Sequence, residues 1–191
     1  MRTGERMPDI AEDVLRFWLD ECGPESWFLK DEALDRTIRE RFGAVRDDLA
    51  DDWDMALDWA KTPRGALAAS IVLDQFSRNL FRGDPRSFDA DPLARDLARE
   101  AVIRGFHLDA AIPDGSAIFF VLPFEHSESA ADQDWSMALA RLVGDEQFVR
   151  YAEAHRDIVL RFGRFPHRNA VLGRDSTAEE LAFLKEPGSS F

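Results

Sequence analysis

Cysteine is almost absent from this sequence, in which Cys22 stands alone among 191 residues. A single cysteine excludes an internal disulfide and any cysteine-rich metal site, and it is typical of a reducing compartment. Cys22 also lies in an acidic stretch, which disfavours the thiolate form of its side chain. We therefore expect Cys22 to be a poor nucleophile.

Long apolar runs and positive charge are also scarce. The longest apolar run, at 117–124, is too short to cross a bilayer, and residues 1–8 lack the apolar core of a signal peptide. The chain has 24 Lys and Arg against 37 Asp and Glu, a formal net charge of −13. That field repels nucleic acid and anionic membranes. We expect a cytoplasmic protein with neither partner, in which any anion site is a local basic island suited to a small ligand.

Several sequence signatures of cofactor chemistry are missing. The chain has no glycine-rich phosphate loop, no dinucleotide fingerprint, no G-x-S-x-G elbow and no HExxH. Glu125 and His126 are adjacent, so their side chains would point in different directions on a helix, and nearby arginines would oppose a cation. These residues therefore do not resemble a metal signature. We expect no metal and no cofactor.

Helical periodicity is what the sequence does contain, without a convincing alternating strand pattern. It predicts one all-α domain over 1–191, with about eight or nine helices and a frayed tail at 187–191. Asp9 and Asp31 are placed to cap the first two helices. The helix predicted over 66–81 is apolar on nearly every face, which indicates a central, buried position.

The end of this central helix is polar. Asp74, Arg78 and Arg82 follow one another at steps of four and so share one face, and Asn79 belongs to the same run. Buried charge is costly unless it is paired or faces a wet cavity. The face could therefore contact a ligand, or Asp74 and Arg78 could form a structural pair while an arginine caps carbonyls at the helix end.

A second polar motif covers 122–128, where Pro123 is expected to kink or restart a helix. Glu125 and Glu128 are three apart, and a carboxylate beside His126 could perform acid–base chemistry. The alternative is helix capping with a satisfied polar histidine. Glu128 should point inward, because it extends a predicted buried stripe of the next helix. That stripe comprises Ala131, Trp135, Ala138, Leu139 and Leu142.

His155 lies on the predicted core stripe of the following helix, between Ala152 and Val159. A histidine on an apolar face is most simply a satisfied core residue. Its nearness in sequence to the arginine-rich segment 161–169 makes acid–base chemistry the alternative. His107, at a predicted helix end, is assigned a structural role.

The segment 161–169 holds three arginines, a histidine and an asparagine in nine residues. Its glycine and proline break any regular helix, and its two internal phenylalanines can anchor it. Guanidinium groups on such a shaped loop suit carboxylate or phosphate. The alternative is that the arginines tie the loop to the many acids of the fold. The polar side chains concerned are Arg161, Arg164, His167, Arg168 and Asn169.

Three motifs together resemble a bacterial family known as domain-of-unknown-function family 924. They are 74–83 (DQFSRNLFRG), 122–128 (LPFEHSE) with Gln133, and 161–169 (RFGRFPHRN) followed by Leu-Gly-Arg. The family usually has proline where this chain has Ser77. The resemblance implies an all-helical fold similar to tetratricopeptide-repeat arrays, and it implies no activity.

Two functions remain open from the sequence. In the first, the motifs converge on a buried pocket for a small anionic or polar ligand, with possible acid–base catalysis. In the second, the chain is a peptide-binding interaction module for basic partners, and the polar motifs are structural locks. The inward phase of the polar residues favours the pocket. Its catalytic candidates are Glu125, His126, Glu128, His155 and His167, and its ligand-binding candidates are Asp74, Arg78, Asn79, Arg82, Arg161, Arg164, Arg168 and Asn169.

Overall fold

Every regular element is helical in the computed structural model, which describes residues 7–190 and side chains from Ile10 onward. The predicted all-α fold is confirmed, with nine helices in one array over these residues when α4 and α5 are counted together. The likeness to tetratricopeptide repeats stays a prediction. No helix in the described range is long and apolar enough to cross a membrane. The α-helices are α1 (Met7–Leu15), α2 (Glu32–Asp51), α3 (Trp53–Trp59), α4 (Pro63–Ser70), α5 (Ser77–Leu80), α6 (Asp91–Ile103), α7 (Leu122–Glu125), α8 (Ala130–Val143), α9 (Glu146–Phe162) and α10 (Ala178–Phe183).

Shorter helical turns join these elements. The chain continues from α1 into a π-helical turn, and a second π-helical turn links α4 to α5 without a break. The four 3-10 turns lie in the connections and before α7. The π turns are Arg16–Cys22 and Ile71–Phe76, and the 3-10 turns are Pro85–Ser87, Phe106–Leu108, Ser116–Phe120 and Pro166–Arg168.

The predicted cap of α2 is confirmed, because Asp31 Oδ1 accepts from the backbone N–H groups of Ala33 and Leu34 at 2.7 and 3.2 Å. The predicted cap at Asp9 is wrong. The helix α1 already begins at Met7, which places Asp9 in its first turn. Proline is tolerated in a first helical turn, where its missing N–H is not needed, so Pro8 permits the earlier start.

The C-terminal tail is partly held. Ser189 is buried, and its hydroxyl donates to the carbonyl of Leu184 at 3.3 Å. Phe191 lies outside the described residues. Fraying of 187–191 stays a prediction.

The continuous run from α4 to α5 forms the centre of the core, as predicted. Its residues from Ala66 to Phe76 are all buried, and Phe76 packs edge-on against Trp18 with ring centroids 5.3 Å apart. The π turn at Ile71–Phe76 adds an extra residue to one helical turn. Asp74 lies within that turn, which places a carboxylate in the middle of the apolar core.

The predicted inward stripe of α8 is wrong except at Leu139. Trp135 and Leu142 are 38% and 58% exposed, while Gln133 is fully buried. The helix instead turns polar side chains inward, where Asp132 and Gln133 have hydrogen-bond partners that reduce the penalty of burial. The buried polar residues of α8 are Asp132, Gln133 and Ser136.

Candidate functional site

Asp74 is the most buried charged group of the site. Its Oδ1 accepts a hydrogen bond from Nδ1 of His126 at 2.8 Å and lies 3.0 Å from Nη1 of Arg78. Gln75 Nε2 donates to Oδ2 at 2.5 Å. Burial opposes ionisation of Asp74, but the charge of Arg78 and the bonded imidazole hold its pKa well below the usual range. Asp74 is therefore a carboxylate that orients His126.

His126 directly follows α7, and its side chain is 15% exposed, more than that of His155. Since a carboxylate can only accept, the Nδ1 of His126 carries the proton of this hydrogen bond and Nε2 carries the lone pair. Burial, reinforced by Arg78, lowers the pKa of His126. His126 is thus a neutral imidazole with a fixed tautomer near pH 7.

Gln133 holds the turn that carries His126. From α8, its Nε2 donates to the carbonyls of Glu125 and Ser127, both at 2.7 Å, and more weakly to that of Phe124 at 3.3 Å. Pro123 lies in the first turn of α7, so the predicted restart of the helix at this proline is confirmed. One buried amide therefore fixes residues 124–127 at the end of α7, which we call the exit of α7.

Glu125 and His155 form a second carboxyl–imidazole pair. Glu125 Oε1 lies 3.2 Å from His155 Nδ1, which also donates to the carbonyl of Tyr151 at 2.8 Å. Burial, together with the charge of Asp74, raises the pKa of Glu125 to about 8. Burial lowers the pKa of His155 to about 3. Near neutral pH the pair is a protonated carboxyl beside a neutral imidazole.

Asp91 joins two arginines. Arg78 donates to both carboxylate oxygens of Asp91, at 3.0 and 3.2 Å, and to the backbone carbonyl of Asp74 at 2.7 Å. Nη1 of Arg168 lies 3.5 Å from Asp91 Oδ2. The central carbon of the Arg168 guanidinium lies over the rings of Phe88 and Phe165, 4.6 Å from each centroid. Burial, reinforced by Arg78, lowers the pKa of Arg168 to about 10.

Glu128 anchors the segment 161–169. Arg174 donates to its two oxygens at 2.7 and 2.9 Å, and the backbone N–H of Phe165 donates to Oε1 at 2.8 Å. Burial opposes the ionisation of Glu128, but the hydrogen bonds from Arg174 and Phe165 lower its pKa. His167 packs on Phe165 with ring centroids 5.6 Å apart, and burial lowers its pKa to about 4.

Five of the predicted ligand-binding residues lie in other polar contacts. Asn79 and Arg82 both donate to Asp35 of α2, at 2.7 Å and at 2.5 and 2.9 Å. Three residues of 161–169 reach the segment around α10 instead. These contacts are Arg161 with Glu179 at 2.9 Å, Arg164 with Glu180 at 2.6 and 2.8 Å, and Asn169 with Ser176 at 3.0 Å.

The remaining predicted residues meet in one place, which we call the buried polar cluster. It draws on the central helix, the exit of α7, α9 and the 3-10 turn Pro166–Arg168, with Glu128 and His167 at its edge. One member, Asp91, is not among the residues predicted from the sequence; it is the first residue of α6. An acid followed by Pro92 is a helix-start signal that could have drawn attention to it. The cluster comprises Asp74, Arg78, Asp91, Glu125, His126, His155 and Arg168.

Two surface clefts lie elsewhere. One, of about 260 Å³, is lined by Glu12 and Arg64, and the other, of about 190 Å³, by Asp134 and Arg156. Neither is lined by a member of the buried polar cluster. Among residues 10–190, no three histidine, cysteine or carboxylate side chains are grouped as metal ligands.

The model of a family described as bacterial protein of unknown function (DUF924) matches residues 14–188. The chain belongs to this family. It is also similar to the solved structure of a protein of unknown function from Agrobacterium tumefaciens, at 39% identity and a TM-score of 0.88. That match covers 94% of this chain and 99% of the other. No curated protein matches the chain.

The DUF924 match includes all three motifs on which the resemblance was based. Ser77, in the first of these motifs, is fully buried and accepts a hydrogen bond from Nε of Arg46 at 3.0 Å. Side chains from two of these motifs form the Asp74–His126 contact. The third contributes Arg168, so the motifs that mark DUF924 in this chain meet in the buried polar cluster.

Proposed function

We propose that the buried polar cluster binds a small anionic or polar ligand, and that His126 acts on it as a general base. The hydrogen bond of 2.8 Å between Asp74 and His126 carries this proposal, because it joins residues 52 positions apart inside a helical core. A carboxylate that holds one imidazole nitrogen fixes the tautomer and leaves the other nitrogen to accept a proton.

The protonation states support acid–base chemistry. Glu125 and His126 are adjacent in the chain, yet burial moves their pKa values in opposite directions. The carboxyl of Glu125 can therefore donate a proton at a pH at which the imidazole of His126 can accept one. A pair of groups whose pKa values are pushed apart by their surroundings is the usual basis for assigning an acid and a base.

Arg78 and Arg168 support the binding of an anion. Both guanidinium groups belong to the cluster, and both contact the single carboxylate of Asp91. The side chains of Arg78 and His126 are more exposed than those of Asp74 and Glu125, so a ligand would approach from the Arg78 side.

Nuclear magnetic resonance titration tests this function directly. Acetate, glycolate, inorganic phosphate, methylphosphonate and glycerol are added to the protein while the imidazole and guanidinium resonances are followed. We expect at least one anion to shift the resonances of His126 and Arg168 in a saturable way. The exposed Arg161, bonded to Glu179, is the internal control and should not respond. The proposal fails if no probe shifts His126, or if the responses lie only at the Glu12–Arg64 cleft.

A second candidate function is an interaction surface for a basic peptide, and α3 favours it. Trp53 and Leu57 lie one turn apart and are 47% and 37% exposed. Exposed Asp51, Asp54 and Asp58 surround them. An apolar strip bordered by carboxylates suits an amphipathic helix that carries lysines. Calorimetry with a lysine–leucine helical peptide should show binding that Trp53→Ser weakens, and equal affinity for both proteins would reject this function.

We also propose a cytoplasmic location without a nucleic-acid partner. The single cysteine and the formal net charge of −13 support it. Fractionation of a native bacterial host should recover the protein with the cytoplasmic enzymes, and recovery in the periplasm would contradict the location.

A further inference from the structure

Arg168 has few partners for so buried a charge. It is 7% exposed, and its Nε is buried without a hydrogen-bond partner among the described residues. Its contact with Asp91, at 3.5 Å, is at the outer limit of a hydrogen bond. A guanidinium has five N–H donors, and leaving buried donors unpaired costs free energy.

Asp91 contacts Arg168 only through this one long distance, while its two oxygens accept from Arg78 at 3.0 and 3.2 Å. Most N–H donors of the Arg168 guanidinium therefore have no acceptor among the described side chains. A group that brings two further acceptor oxygens would satisfy donors that the protein itself does not.

The two aromatic rings restrict how such a group can approach. The central carbon of the guanidinium lies over the rings of both Phe88 and Phe165, 4.6 Å from each centroid. The space beside the guanidinium is therefore limited. A carboxylate is planar and pairs with two N–H groups in the plane of the guanidinium. A phosphate is tetrahedral, so its further oxygens need additional room, which two close rings restrict.

The charges of the cluster also favour a carboxylate over a phosphate. A carboxylate adds one negative charge near neutral pH, whereas a phosphate ester adds almost two. Asp74 and Asp91 already supply two carboxylates against Arg78 and Arg168. Each further enclosed charge costs desolvation free energy that the surrounding groups must offset.

We infer that the ligand of the buried polar cluster is a small carboxylic acid, whose carboxylate is recognised by the guanidinium of Arg168 in the confined space beside Phe88 and Phe165. This inference rests on the proposed function and adds the ligand class to it. It places the rest of the ligand on the side of Arg78 and His126, where the proposed base lies.

The experiment compares two probes of similar size, acetate and methylphosphonate, by resonance titration at pH 7. Wild type should bind acetate at least about tenfold more tightly than methylphosphonate, a difference of about 1.4 kcal/mol. Arg168→Lys keeps the positive charge but loses the planar fork, so it should lose most of this preference. Arg161→Lys makes the same chemical change at an exposed site and should behave as wild type.

Phe88→Leu provides a second variant if Arg168→Lys does not fold. Phe88 is only half-buried, and its replacement removes one of the two rings beside the guanidinium. Methylphosphonate should then gain affinity relative to acetate. An unchanged acetate preference in Arg168→Lys, or in Phe88→Leu where Arg168→Lys does not fold, would overturn the inference.

The remaining outcomes separate the inference from the function. If methylphosphonate binds wild type better than acetate and still shifts His126, the ligand class is wrong and the proposed function stands. If neither acid binds and the wider probe panel leaves His126 unchanged, both proposals fail.

Discussion

Glu125 Oε1 lies 3.2 Å from His155 Nδ1, and neither group carries a charge near neutral pH. The carboxyl of Glu125 is protonated and the imidazole of His155 is neutral. Because the folded protein keeps this carboxyl protonated, the stability of the fold depends on pH.

Glu125→Gln should make the protein more stable than wild type at pH 8 and change it little at pH 5. The folded pKa of Glu125 is raised from 4.5 to about 8, so its contribution is full below pH 4.5 and is lost as pH rises toward 8. Gln does not titrate. Urea unfolding of both proteins from pH 5 to 8.5 should show a growing difference, on the order of a few kcal/mol. A difference that does not change with pH would contradict the protonated state of Glu125.

Gln133→Leu should destabilise the fold by about 3 kcal/mol, because carbonyls of the α7 exit lose their buried donor. It should also broaden or shift the imidazole resonances of His126. Gln147→Leu, on an exposed position in the first turn of α9, is the matched control. Equal effects of the two variants in urea unfolding would show that the amide of Gln133 does not hold this turn.

Arg164→Ala should lower the melting temperature in the absence of any ligand. Arg164, followed by the backbone N–H of Thr177, lowers the pKa of Glu180 to about 2. The contribution of this carboxylate is therefore present above pH 4.5 and is lost as pH falls toward 2. Melting curves of wild type and variant should converge over that acidic range. A normal melting temperature combined with lost anion binding would instead return Arg164 to the ligand site.

Gly163→Ala should cost about 1 kcal/mol, because Gly163 ends α9 with φ of +69°, a conformation that disfavours a side chain. Gly163 belongs to the segment 161–169, which also carries Arg168. Gly43→Ala, at an open position within α2, is the control and should stabilise the fold by roughly 0.5–1 kcal/mol. Denaturant unfolding should show a lower free energy of unfolding for Gly163→Ala and a higher one for Gly43→Ala.

Local signals were sufficient for much of the fold. The cap at Asp31, the restart at Pro123 and the buried run at 66–76 follow from side-chain chemistry within a few residues. The inward face of α8 could not be read in this way. Its apolar residues Trp135 and Leu142 face outward, because Gln133 finds its partners on a different element, the exit of α7.

The site was accessible from sequence only in part. The helical periodicity correctly predicts that Asp74 and His155 are buried. The identity of each partner depends on packing between distant elements. Arg82 bonds Asp35, 47 positions away, while Arg78 bonds Asp91 on α6. The four-residue spacing of the two arginines along one helix could not predict that their partners lie on different elements.

The π turn at Ile71–Phe76 has a consequence for the length of the chain. Removing one residue from it would restore a regular helix and rotate the two halves of the central run by about 100° against each other. The apolar half would stay seated in the core while the polar half swung away from α6 and the α7 exit. Insertions and deletions should therefore be tolerated in the surface connections and selected against in this single turn.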